Sequence, residues 1–93
     1  MKEKYYVYVL LSLKDKKFYI GFTTNLKQRL QQHARGEVKS TANIRFLKLV
    51  HYEYFLNEGD AKAREVFLKS GFGREQLRQS LKRILHGFDI EEK

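Results

Sequence analysis

Ninety-three residues, 42% of them apolar and 14% aromatic, suffice for one domain with one core and are too few for two. A formal charge of +8 points to polyanionic partners, and the absence of cysteine excludes a disulfide partner and any thiolate-held metal cluster. No apolar run approaches the roughly 20 residues of a membrane span, and Met1–Tyr5 lacks a signal-peptide layout, so a cytosolic protein with no membrane contact is expected.

Tyr5 to Leu11 mixes β-branched, aromatic and leucine residues and predicts a strand covered on both faces. Lys14-Asp15-Lys16 is a polar turn, and Lys17 to Phe22 is a second strand that closes an antiparallel hairpin. Thr24 or Asn25 caps a helix whose apolar stripe is Leu26, Leu30 and Ala34, and Gly36 ends it. Glu37 to Asn43 is a polar loop, and Phe46 to Phe55 is the third strand. Asn57, with Asp60 three residues on, opens a second helix that stops near Ser70-Gly71. A last helix is expected from about Gly73 to His86, with Leu77, Leu81, Ile84 and Leu85 as its buried face and Gly87 as its stop. The order β-β-α-β-α-α predicts an α+β fold: a small three-stranded antiparallel sheet flanked by three helices. Residues 1–87 form the domain, and the acidic stretch 88–93, with Asp89, Glu91 and Glu92, is expected to fray.

Some residues have two readings, one structural and one chemical. Alternation puts Tyr6 and Tyr8 on one strand face, and Tyr19 and Gly21 point the same way on the next strand. Tyrosines favour sheets in any case, but a glycine there also leaves room for a ligand or another backbone. Arg29 and His33 are four apart on one helix face; at about 100° per residue both fall at the border of the apolar stripe. Either can pack structurally at that border. Glu65 is flanked by Ala61 and Leu68, with Lys69 as an i+4 ion-pair partner; one such carboxylate also suffices for a hard Mg²⁺ ion that keeps several waters.

Taken jointly, these residues resemble the GIY-YIG endonuclease superfamily, and within it the small single-domain members related to the nuclease module of the excinuclease C subunit. The first signature stands as Tyr6-Val7-Tyr8, with Tyr6 in place of glycine, and the second is intact as Tyr19-Ile20-Gly21. The family's helical arginine matches Arg29, its next tyrosine or histidine matches His33, and its metal-binding glutamate matches Glu65. The stretch Lys69-Ser70-Gly71-Phe72-Gly73-Arg74 is also similar to these members, and the likeness spans roughly residues 5 to 85. It implies hydrolysis of DNA assisted by one Mg²⁺ or Mn²⁺. Tyr19 would then be the general base, Tyr8 a hydrogen-bonding partner in the same site, and Arg29 the phosphate-neutralising cation. His33 would move protons or orient Tyr19, and Glu65 would hold the metal. Two departures bear on turnover: Phe22 stands where several members carry lysine, and Gln79 is a rough substitute for an asparagine of the last helix.

DNA contact is expected from Lys39, Arg45 and Lys48 around the loop and third strand, and from Lys69, Arg74, Arg78 and Lys82 on the last two helices. Full-size members of that superfamily commonly choose their DNA with a second domain; none is expected here, so the resemblance implies a structure-tolerant endonuclease of low sequence specificity, in repair or recombination. The alternative is a nucleic-acid-binding module that keeps the fold without the activity. A third reading is a protein adaptor using the aromatic third strand.

Overall fold

The computed structural model describes residues 3–44 and 46–88. Three strands form one antiparallel sheet in the order β2-β1-β3: β1 (Tyr5–Ser12), β2 (Phe18–Thr23) and β3 (Leu47–Phe55). Between them run α1 (Leu26–Ala34) and a short 3-10 turn (Lys39–Thr41); α2 (Glu58–Lys69), α3 (Gly71–Ser80) and α4 (Lys82–Gly87) follow. The α+β architecture expected from the sequence is thus present, with four α-helices among the described residues. Arg45 and the acidic stretch from Asp89 onward lie outside the described residues.

β1 is the central strand, and Val7 to Ser12 are all buried. Its two faces have different roles. Val7, Val9 and Leu11 join Phe18 and Ile20 of β2, Ala61 and Leu68 of α2, Leu77 of α3 and Leu85 of α4 in the core. The opposite face carries Tyr6, Tyr8 and Leu10. The β1–β3 pairing slips between Val9 and Leu10, where Val50 is the extra residue of β3 and turns into the core.

The helix starts follow their sequence signals. Asn25 Oδ1 accepts from the Gln28 amide at 3.0 Å, and Asn57 Oδ1 accepts from the Asp60 amide at 3.0 Å. Gly36, at φ 76°, closes the end of α1 in the left-handed region that glycine tolerates best. Ser70 serves two helices: its hydroxyl donates to the Phe67 carbonyl of α2 at 2.6 Å and accepts from the Gly73 amide of α3 at 3.1 Å.

The single last helix expected from the sequence is two. Leu81 leaves helical geometry (φ −106°, ψ 18°) and separates α3 from α4. The break keeps both Leu77 and Leu85 in the core and turns Ile84 outward, 39% exposed, against the expectation that it is buried. It also ends the regular four-residue spacing of Arg74, Arg78 and Lys82 along one helix. In α1 the covered residue is His33, while Ala34, assigned to the apolar stripe, is exposed.

Gly73 sits where α3 meets α2. A Cβ there would collide with the Phe67 carbonyl and the Leu68 Cα, both backbone atoms that cannot swing aside. Gly73→Ala is expected to lower stability by about 1–3 kcal/mol despite alanine's better helix propensity. A fall in the urea midpoint measures it; an unchanged midpoint would mean that the junction shifts without strain.

Candidate active site

Tyr8 stands opposite Gly21 on one side and Tyr52 on the other, and Tyr19 pairs with Leu10, so the two signature tyrosines share a sheet face. A side chain at position 21 would strike the Tyr8 ring and hydroxyl. Glycine therefore lets the Tyr8 phenol lie across the edge strand β2. The ring is 4% exposed, and its hydroxyl is 2.9 Å from His33 Nε2. The other imidazole nitrogen, Nδ1, is 2.8 Å from the Thr41 hydroxyl. Tyr8, His33 and Thr41 thus form a buried hydrogen-bonded chain linking β1, α1 and the 3-10 turn.

Tyr19 does not meet His33 or Tyr8 in this chain. Its hydroxyl donates to Asp15 Oδ2 at 2.7 Å, while Asp15 Oδ1 accepts from the Lys17 amide at 3.1 Å. The turn is further fixed by the Ser12 hydroxyl, which accepts from the Asp15 amide at 3.3 Å, and by Lys16 at φ 62°. Asp15 raises the Tyr19 pKa, and burial adds to it, while Arg74 opposes. An ionised Tyr19 is therefore disfavoured. The Tyr19 hydrogen bond in turn holds the Asp15 carboxyl below its ordinary range.

Glu65 rises from α2, half-buried, with Oε2 at 2.8 Å from Lys69 Nζ, the i+4 partner that its spacing gave. Tyr8, Tyr19, Arg29, His33 and Glu65 all line one open concavity of about 560 Å³, which also contains Gly21. Four cationic side chains line it (Lys17, Arg29, Lys69 and Arg74) against one carboxylate, Glu65. Among the described residues neither Arg29 nor Arg74 pairs with a carboxylate, and the buried Arg74 Nε makes no hydrogen bond. This imbalance suits a polyanion.

Both tyrosines are held toward their neutral forms, Tyr19 chiefly by Asp15 and Tyr8 chiefly by burial. Burial raises the Tyr8 pKa, with Arg29 pulling it down and Glu65 pushing it up. Burial, then Arg29, lowers the His33 pKa, so the imidazole is neutral at neutral pH.

The other sequence-predicted contacts divide. Lys69 and Arg74, placed with the outer DNA surface, belong to the concavity itself. Lys39, Lys48, Arg78 and Lys82 are exposed outside its lining, and the Arg78 guanidinium lies 5.9 Å from the Phe18 ring centroid. Arg45 lies outside the described residues. Gln79 is exposed, donates to Glu75 at 3.2 Å and is not part of the lining. At Phe22 the missing lysine has a neighbour in its place: Lys62 Nζ of α2 lies 4.7 Å from the ring centroid. Sequence reasoning missed Asp15 and Thr41. Only the four-residue spacing of Asp15 and Tyr19 across a tight turn could have flagged the first, and nothing local flags the second.

The divalent ion that the resemblance implies makes a definite demand on this donor set. Among the described residues no three His, Cys, Asp or Glu side chains cluster, which disfavours an all-protein cage. One half-buried carboxylate facing an open polar space fits a hard ion that keeps waters and takes phosphate oxygens.

Comparison with known proteins agrees with the geometry. The family model described as GIY-YIG catalytic domain matches residues 4–78. A UPF0213 protein of Clostridium perfringens is 40% identical over 65 residues, 69% of each chain. Another, from Limosilactobacillus reuteri, is 36% identical over 92 residues, 95% of this chain and 91% of its own. The solution NMR structure of a UPF0213 protein from Bacillus halodurans matches with a TM-score of 0.53 and 33% identity, covering 82% of this chain and 83% of that one.

The buried imidazole has a consequence for stability. A free imidazole takes its proton near pH 6.5, and the folded protein holds His33 lower. Between those values the unfolded chain binds a proton that the folded one refuses. The His33 contribution is therefore whole above about pH 6.5 and is lost as pH falls below it. Urea midpoints should drop from about pH 7 to about pH 5, and His33→Gln should flatten that slope. Equal slopes in both proteins would mean that His33 titrates as a free imidazole.

Proposed function

Because this chain belongs to the GIY-YIG catalytic domain family, we propose that it is a metal-dependent endonuclease hydrolysing DNA phosphodiester bonds, in the cytosol, with low sequence specificity, in repair or recombination. The observation that carries this reading is the meeting of Tyr8, Tyr19, Arg29, His33 and Glu65 in one cation-rich concavity. They come from two strands and two helices.

The scissile phosphate enters the concavity, where Arg29 and Arg74 offset its charge and the charge that grows in the transition state. Tyr19 donates its proton to Asp15, so its oxygen presents only lone pairs to the cavity. An attacking water gives a proton to that oxygen while the phenolic proton passes to Asp15. Tyr19 then acts as a base without ever being free phenolate, whose pKa near 10 would leave about one in a thousand ionised at pH 7. The water oxygen bonds to phosphorus, the opposite P–O bond breaks, and the departing oxygen takes a proton from solvent. Tyr8, held by neutral His33 and Thr41, is a fixed hydroxyl on the cavity wall. Glu65 would exchange Lys69 for one Mg²⁺ or Mn²⁺, which when bound stabilises negative charge on the phosphate oxygens.

The position of Gln79 outside the lining favours a second reading, a nucleic-acid-binding module that keeps the fold and lacks turnover. The two are separated by screening duplex, branched, flapped and single-stranded DNA for nicking with Mg²⁺ or Mn²⁺. Tyr19→Phe, which removes the proton-transfer group, and Glu65→Ala, which removes the carboxylate that would hold the metal, are each expected to reduce nicking at least a hundredfold. Wild-type protein inert on every substrate, with salt-sensitive binding that survives both substitutions, would establish the binding module instead. Within the active reading, Asp15→Asn removes the proton acceptor and is expected to lower the rate and move the pH–rate profile to higher pH. An unchanged profile would remove Asp15 from proton transfer.

A further inference from the structure

The sheet face that holds Tyr8 continues beyond the concavity into three tyrosines for which the proposed chemistry has no use. Tyr6 precedes Tyr8 by two residues on β1, and Tyr54 and Tyr52 stand opposite Tyr6 and Tyr8 on β3. The Tyr6 ring centroid is 6.1 Å from that of Tyr52 and 6.0 Å from that of Tyr54, with tilts of 54° and 57°. Tyr6 is half-buried, while Tyr52 and Tyr54 are 52% and 51% exposed. Lys4 Nζ lies 4.7 Å from the Tyr54 ring centroid. The solvated face of an antiparallel sheet ordinarily alternates to polar side chains; here it presents large rings. Tyr6 sits between the other two, at the position where the first signature carries glycine.

We propose that Tyr6, Tyr52 and Tyr54 form a stacking platform for unpaired bases of single-stranded DNA, with the Lys4 ammonium meeting its phosphates. Aromatic rings on a sheet beside positive charge bind single strands with little sequence preference, because every base has a face to stack. Charge complementarity selects this occupant. The chain carries +8, and an ammonium placed over one ring suits a phosphate backbone and obstructs a purely apolar protein surface. Continuity supports it as well. Tyr52 is the direct β3 neighbour of Tyr8, about 4.8 Å away across one strand spacing. A strand leaving the concavity toward β3 crosses the platform within one step. Base binding stands on these residues alone. Its consequence for cleavage, a preference for DNA with an unpaired tail or flap, rests on the nuclease reading.

The test is binding by the full chain, in chelator and without metal, of a fluorescein-labelled oligothymidylate and of a duplex of equal length, followed by anisotropy. Tyr52→Ala and Tyr54→Ala should each weaken single-strand binding roughly tenfold and leave duplex binding nearly unchanged. Tyr54→Phe should retain affinity and Tyr54→Leu should lose it, since stacking needs a ring and not mere apolar area. Circular dichroism melting of each variant separates lost stacking from lost fold. Retained affinity in Tyr54→Leu, or wild-type binding of duplex alone, overturns the platform. So does concentration-dependent dimerisation abolished by the same variants without oligonucleotide binding, which would assign the face to a second copy. Because no cleavage is read, failure here leaves the nuclease reading standing, and an inert nuclease leaves the platform standing.

Discussion

One missing side chain organises the site. Gly21 lies on an edge strand directly opposite Tyr8, and the phenol occupies the space that any Cβ would fill. That close approach brings a residue of the central strand to the sheet margin, where its hydroxyl meets an imidazole from α1. At the same margin a carboxylate reaches in from α2, a helix whose Ala61 and Leu68 belong to the core on the other sheet face. Elements packed on opposite sides of the sheet thus contribute to one cavity by meeting at the edge of β2. An alanine at position 21 would push the phenol off this path before any chemistry could be considered.

The polar residues around that gap have distinct roles set by their surroundings. Tyr8 and His33 are buried and pushed toward their neutral forms, and with Thr41 they make a rigid hydrogen-bonded wall. Tyr19 is more exposed and is tied to a carboxylate on its own hairpin turn. Both phenols are pushed toward their neutral forms, the first fixed by its hydrogen-bonded neighbours and the second with somewhere to send its proton. Arg29 acts on both buried groups, lowering Tyr8 and His33 alike, as a cation does whether the neighbour loses or gains a proton. Lys69 holds Glu65 in place by an i+4 ion pair at 2.8 Å.

Much of this was legible in the residues. Asn25 and Asn57 announced their helices because a side-chain oxygen at the cap satisfies an otherwise orphaned amide, a purely local interaction. The strands followed from aromatic and β-branched runs, and the Glu65–Lys69 pair from i+4 spacing. The break at Leu81 was not legible: a continuous apolar stripe reads as one helix, and only packing required Leu77 and Leu85 to enter the core across a kink. Ile84 and Ala34 were misassigned for the same reason, since a helical stripe says which residues share a face but not how far the partner surface extends. Arg74 was expected only among the DNA contacts of the last two helices, because its distance from Tyr19 depends on how tightly α3 turns back at Ser70 and Gly73.

The sequence by itself determined the class of the fold, the family, the five polar residues worth watching and the positive charge that favours a polyanion, because each of these is written in identity and spacing along the chain. Apart from the Glu65–Lys69 pair, which i+4 spacing already gave, tertiary structure decided their partners. The pairing of His33 with Tyr8 and Thr41, of Tyr19 with Asp15, and the entry of Arg74 into the cavity depend on strand register, on helices closing round a sheet edge and on a glycine gap. Hydrogen bonds reach about 3 Å, and a pattern of residue types cannot fix distances of that size across a turn, a loop or two separate elements.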